Sequence, residues 1–171
     1  MKKVIPDKIH IIGSVGSGKT TLARVLSNSY NIPYYELDNV VWERHKSGDI
    51  RRTDEERDNY LEEIISSDVW IIEGAHNHKW VEKSFQNADL IIFLDTPYPK
   101  RMVRIIKRFI LQKMGLEKSN YNPTIKIFGK MFQWNSAFEK KSKPKILKML
   151  NENKSNSIIL KDNMKIGKYF K

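Results

Sequence analysis

The eight residues Gly13-Ser14-Val15-Gly16-Ser17-Gly18-Lys19-Thr20 constrain this chain more than any other stretch. They follow a short apolar run, Lys8-Ile9-His10-Ile11-Ile12, that reads as a strand. They lead into Thr20 to Tyr30, where Leu22, Ala23, Val25 and Leu26 recur at helical spacing. The pattern is G-x-x-x-x-G-K-[ST], in the strand–loop–helix context that its chemistry requires. Glycines let successive backbone N–H groups turn inward around an anion, and the helix N-terminus adds about half a positive charge. In such a loop Lys19 reaches the β- and γ-phosphates of a nucleotide, and the Thr20 hydroxyl ligates Mg²⁺.

Beyond this loop the sequence alternates strand-like and helical segments. Pro33 to Asp38 reads as a second strand, and residues 43–52, which contain Ser47-Gly48-Asp49, read as a loop. Thr53 with Glu56 three residues later marks a capped helix to about Ser66. Val69 to Gly74 is a third strand, Trp80 to Phe85 a short helix and Leu90 to Asp95 a fourth strand. Pro97 or Pro99 opens a long helix to about Met114. The aromatic and basic residues 119–138 turn helical after Pro123, Pro144 starts a further helix to about Leu150, and Ser157 to Leu160 is a fifth strand. Strands apolar throughout and separated by helices imply an α/β fold of three layers, with helices on both faces of a parallel sheet. Residues 96–150 are too long for a simple crossover and mark a functional insertion. The expected organisation is one domain over 1–171, with an acceptor-side segment at 39–67 and a basic, lid-like helical insertion at 96–150.

Acidic residues at strand ends extend the loop's chemistry, because the C-terminal ends of parallel strands line the ligand crevice. Glu73 closes the third strand and suits Mg²⁺, directly or through water. Asp38 closes the second and suits a substrate hydroxyl. Asp95 precedes Thr96-Pro97, where helix capping is the expected role. On the long helix Arg101, Arg104 and Arg108 fall within roughly 60° of one another at about 100° per residue. Met102, Val103, Ile105, Ile106, Phe109 and Ile110 take the opposite arc, which is expected to be core. Arginine forks suit phosphate oxygens. His76-Asn77-His78 reads as a substrate-facing loop rather than a two-histidine metal site. Tyr34, Tyr35, Trp42, Trp70 and Trp80 include candidates for base stacking, with Tyr34 and Trp70 expected in the core. Tyr121, Phe128, Phe132, Trp134 and Phe138, set among Lys118, Lys126 and Lys130, either stack on single-stranded nucleic acid or bury one side of a helix; the second reading is preferred.

Composition narrows the classes further. With no Cys, disulfides, thiolate nucleophiles and Cys-based metal sites are excluded. Apolar runs of about five residues are far short of a membrane span of roughly 20. Met1 to Asp7 shows no signal-peptide core, so the expected location is the cytoplasm, without membrane association. Residues 1–95 carry 12 Lys/Arg against 16 Asp/Glu, whereas residues 96–171 carry 19 against 4. A half so basic favours phosphate-rich partners, including nucleic acid.

Together these residues resemble the nucleoside monophosphate kinase group. Tyr35-Glu36-Leu37-Asp38-Asn39-Val40-Val41-Trp42 and Trp70-Ile71-Ile72-Glu73-Gly74 are similar to its adenylate kinase-related branch, whose members are often labelled DNA topology modulation proteins. The resemblance implies a sheet of order 2-3-1-4-5, ATP at the glycine loop, a lid after the fourth strand and an acceptor site near the second. It carries Gly13, Gly18, Lys19 and Thr20 over as nucleotide and Mg²⁺ contacts, and Arg104 and Arg108 as lid residues. Two departures stand out: Gly18-Lys19-Thr20-Thr21 replaces the group's Gly-Lys-Gly-Thr, and Ala75-His76-Asn77-His78 follows Gly74 where adenylate kinases place an Arg.

The resulting expectation is a Mg-ATP phosphotransferase acting on a small acceptor, with nucleotides among the candidates. Gly13, Ser14, Gly16, Ser17, Gly18, Lys19, Thr20 and Thr21 would bind ATP, and Thr20 and Glu73 the metal. Lys19, Asp38, Arg104 and Arg108 would act on the reacting groups. The alternative is an ATP-binding, nucleic-acid-associated regulator with weak turnover, whose footprint is the basic half.

Overall fold

The computed structural model describes residues 5–45, 47–117, 123–152, 156–162 and 166. Strands β1 (Lys8–Gly13), β2 (Tyr34–Glu36), β5 (Trp70–Gly74), β6 (Leu90–Leu94) and β7 (Ser157–Leu160) form one parallel sheet in the order β2-β5-β1-β6-β7. Numbered among themselves, these strands give the expected 2-3-1-4-5. Every residue of β5 and β6 is buried, which is why both segments are apolar without alternation. On one face Leu22, Ala23 and Leu26 of helix α1 (Lys19–Tyr30) pack on Ile9, Ile11, Ile71, Ile92 and Leu94. The other face buries Ile12, Ile72, Ile91 and Phe93 under α3 (Asp54–Ile65), α4 (Glu82–Gln86) and α7 (Lys143–Glu152). Helix α3 begins with the expected capping box, Thr53 and Glu56 each accepting the other's backbone N–H.

Several expectations change. The second strand stops at Glu36, and Leu37–Val41 forms a short helix, α2. The reason is packing: Leu37, Val40 and Val41 are buried at i, i+3 and i+4, a helical face, so Asp38 lies in a first helical turn rather than at a strand end. The expected loop at 43–52 contains a short antiparallel ribbon, β3 (Trp42–Glu43) against β4 (Ile50–Arg51). Helix α5 (Tyr98–Lys113) is rotated from the orientation read off its sequence. Its arginine row faces inward, with Arg101 fully buried, while Val103 is 64% and Ile110 50% exposed. The cations turn inward because their acceptors lie there; of the aliphatic arc, Ile105 is fully buried and Phe109 stacks on Phe128, while Val103, Ile106 and Ile110 face out. Asp95 does not cap this helix, whose N-cap is Pro97 without a side-chain bond; it pairs with Lys143 at 2.7 Å.

Helix α6 (Ile125–Ala137) starts at Thr124, whose hydroxyl accepts from the Ile127 N–H. It passes through a π-helical turn, Phe138–Ser142, directly into α7. Of the aromatic–basic stretch, Lys118 and Tyr121 lie outside the described residues. Phe128 stacks on Phe109 of α5 and meets Phe132 edge-on, and Phe138 is buried against Phe93. The described rings therefore mostly bury one side of a helix, as preferred, and among them only Trp134 is largely exposed. Among the described residues no helix is long and apolar enough to cross a membrane.

Candidate functional site

The glycine loop leaves β1 at Gly13 and enters α1 at Lys19. Gly16 has φ +74°, and a Cβ there would lie 2.8 Å from the Arg101 carbonyl, so both backbone and space require glycine. Gly18, the N-cap of α1, has φ 96° and offers no side-chain cap, which leaves the helix's first N–H groups facing the loop. The Lys19 ammonium donates to the Ser14 carbonyl at 3.0 Å, and the Ser17 N–H to the same oxygen at 3.2 Å. The Ser17 hydroxyl is fully buried without a hydrogen-bond partner. Open helix N–H groups, a loop-bound ammonium and an orphaned hydroxyl form a donor set suited to a phosphate chain. Thr21 is exposed on the first turn of α1.

Thr20 and Glu73, 53 residues apart, meet as expected: the Thr20 hydroxyl donates to Glu73 Oε1 at 2.6 Å. Burial pushes the Glu73 carboxyl above the ordinary range, against the pull of Lys19 and the Thr20 bond. Hydroxyl and carboxylate oxygens are the ligands Mg²⁺ prefers. The register pairs Glu36 directly with Glu73, so both side chains leave the same face of the sheet, the α1 face. Glu36 is therefore the carboxylate that closes the second strand, and the sequence reading passed over it. Burial, Glu73 and Asp38 all push its carboxyl upward. Its signal was its place two residues before Asp38, hidden once the strand was extended by two positions.

Asp38 is exposed and accepts from His76 Nε2 at 3.1 Å. That hydrogen bond, with the nearby His76, Lys19 and Arg44 charges, holds its carboxyl below the ordinary range. His76, from the loop after β5, thus meets the start of α2 and tilts against the Trp80 ring at 5.3 Å. Among the described residues no group of three or more His, Asp or Glu side chains could hold a metal ion. Trp70 is core, as expected, and Trp80 lies under the Arg57 guanidinium at 4.8 Å. Beside Glu36, a cleft of about 330 Å³ is lined by Tyr34, Tyr35, Asn39, Val40 and Tyr60.

From the other side α5 delivers its arginines. Arg104 donates to the Ser17 carbonyl at 2.8 Å and lies 3.7 Å from Asp162. Arg108 reaches toward Met131 of α6 at 3.9 Å. Arg101 is a structural cation: its guanidinium bonds Glu139 at 2.5 Å, between the Tyr98 and Phe138 rings. Thr96, also passed over in the sequence, donates to the Ser17 carbonyl at 3.0 Å from full burial.

A glycine loop between the first strand and first helix of a parallel 2-3-1-4-5 sheet, with a Thr–Glu pair beneath it, defines the P-loop NTPase class. Residues 9–119, well over half of the chain, match the AAA domain, and the chain belongs to that family. Its fold is shared with a sugar kinase from Janibacter sp. HTCC2649, at 18% identity over 94% of this chain and 87% of that one, with a TM-score of 0.50. Shikimate kinase from Bacteroides thetaiotaomicron aligns at 20% identity over 81% of each chain, with a TM-score of 0.49. No curated protein matches the sequence.

Proposed function

We propose that the protein is a Mg-ATP-dependent phosphotransferase acting on a hydroxyl of a small acceptor. The observation that carries this reading is the 2.6 Å Thr20–Glu73 pair beneath the glycine loop, with Glu36 level with Glu73 in the sheet and Asp38 in the helical turn that follows. Bound Mg-ATP would supply the phosphoryl group and the metal's charge. The loop N–H groups and Lys19 bind the phosphates, and Thr20 and Glu73 hold the metal. Asp38, kept ionised by His76, orients the acceptor hydroxyl and takes up its proton. Arg104, already on the loop at the Ser17 carbonyl, and Arg108 stabilise charge on the phosphoryl group in flight. A fold shared with a sugar kinase agrees with a small hydroxylated acceptor.

The finer reading, membership of the adenylate kinase-related branch, rests on Leu37-Asp38 and Glu73-Gly74. The nucleic-acid alternative draws no support from the inward-facing arginine row. The test is acceptor-dependent ADP formation across a panel of nucleotides, polyols and sugar acids. At least one acceptor should raise ADP release well above the basal rate. ATP hydrolysis indifferent to every acceptor would overturn the reading.

A further inference from the structure

We propose that Asn135 is a positioning residue for the nucleotide loop, holding Ser14 from a helix far along the chain. The proposal rests on the nucleotide site described above and deepens it. Ser14 and Asn135 are both buried, and the Ser14 hydroxyl donates to Asn135 Oδ1 at 3.1 Å across 121 positions of sequence. The Asn135 amide meets Met102 Sδ of α5 at 3.2 Å. A carboxamide removed from water costs about 1–3 kcal/mol unless it is bonded, so apolar packing alone would favour a hydrocarbon here.

Ser14 is the node of the loop. Its carbonyl accepts from both Lys19 and the Ser17 N–H, so moving Ser14 moves the ammonium that would meet the phosphates. Asn135 is itself fixed. Just beyond it the π-helical turn places Glu139 on Arg101, and Lys143 bonds both Glu139 and Asp95 at the end of β6. Helix α6 is thereby anchored to α5 and to the sheet, and Asn135 transmits that anchorage to Ser14. Asn135, Glu139 and Lys143 all lie beyond residues 9–119, the part of the chain that matches the AAA domain. The bond thus ties the loop to a helix outside the matched residues.

The test compares wild type with Asn135→Leu, Ser14→Ala and the double variant. Two readouts are used: hydrogen–deuterium exchange of residues 13–18 without ligand, and Mg-ATP affinity by calorimetry. Asn135→Leu is expected to fold, to exchange faster at residues 13–18 but not in β1, β5 or β6, and to bind Mg-ATP roughly tenfold more weakly, the scale of one buried hydrogen bond. Because Asn135 acts through Ser14, the double variant should bind no more weakly than the worse single one. Unchanged exchange in a folded Asn135→Leu, or additive losses in the double variant, overturns the proposal. Asn135→Ala takes the same part if leucine does not pack. A wild type that binds no nucleotide defeats the functional reading, while exchange in the ligand-free protein still decides the Asn135–Ser14 link.

Discussion

His10 makes the core of this protein sensitive to acid, by an amount that follows from its surroundings. It sits fully buried on β1, stacked on Phe85 with ring centroids 3.9 Å apart. The Ser84 hydroxyl spends its one proton on the Val81 carbonyl at 2.7 Å. It must therefore accept from His10 Nδ1 at 3.1 Å, which fixes the tautomer and leaves Nε2 buried without a partner. A proton added at Nε2 would create an unpaired buried charge, and burial lowers the His10 pKa to about 3. The native state therefore refuses a proton that the unfolded chain accepts near pH 6.5. Stability is unaffected above that value and falls as the pH drops from 6.5 toward 3. By linkage the loss reaches about 2 kcal/mol at pH 5. His10→Leu removes the titration. Urea unfolding of both proteins from pH 7.5 to pH 5 should show the wild type losing about 2 kcal/mol more than the variant. Parallel stability curves would refute the argument, because His10 would then be taking up its proton in the folded state.

The remaining predictions concern the site. Glu73 carries the opposite dependence: its folded carboxyl holds a proton more tightly than the unfolded chain does, so stability falls as pH rises above about 4.5. Ligand-free Glu73→Gln should melt higher than wild type at pH 8 yet lose Mg²⁺-dependent turnover; identical melting would refute the burial argument. Asp38→Asn should cut phosphoryl transfer by about 10²-fold or more with ATP affinity nearly unchanged, and an equal loss of ATP binding would move Asp38 into the nucleotide site. Arg104→Ala and Arg108→Ala, made singly, should lower kcat by roughly 10³-fold and leave the salt dependence of any DNA binding unchanged. Intact turnover with a flatter salt slope would favour the nucleic-acid alternative.

The glycine loop was legible because its residues carry their own geometry: positive φ at Gly16 and Gly18 and a cation at Lys19 are needed wherever that loop occurs. The sheet was legible because β5 and β6 are buried along their whole length and so apolar at every position. Asp38 was misplaced because Tyr34 to Asp38 is ambiguous over so few residues; Leu37, Val40 and Val41 resolve it only when read as a helical face. The orientation of α5 was not legible for a different reason. A helix with cationic and aliphatic arcs shows that its faces differ, but not which finds partners. Here the Ser17 carbonyl and Glu139 draw Arg104 and Arg101 inward and leave Val103 and Ile110 outside. The Ser14–Asn135 bond spans 121 positions and depends on that orientation, so nothing local announces it.

Whether the Gly13–Thr20 loop binds Mg-ATP for transfer is decided at Lys19. Calorimetric titration of Mg-ATP into wild type and Lys19→Ala, with ADP formation measured on the same samples, separates binding from folding when both proteins are also melted. Wild type should bind Mg-ATP. Lys19→Ala should melt close to wild type, because the lost bond is a single half-exposed contact to the Ser14 carbonyl, and should lose most of its turnover. Near-normal turnover in a folded Lys19→Ala, or a wild type that takes up no Mg-ATP, would contradict that role for the loop.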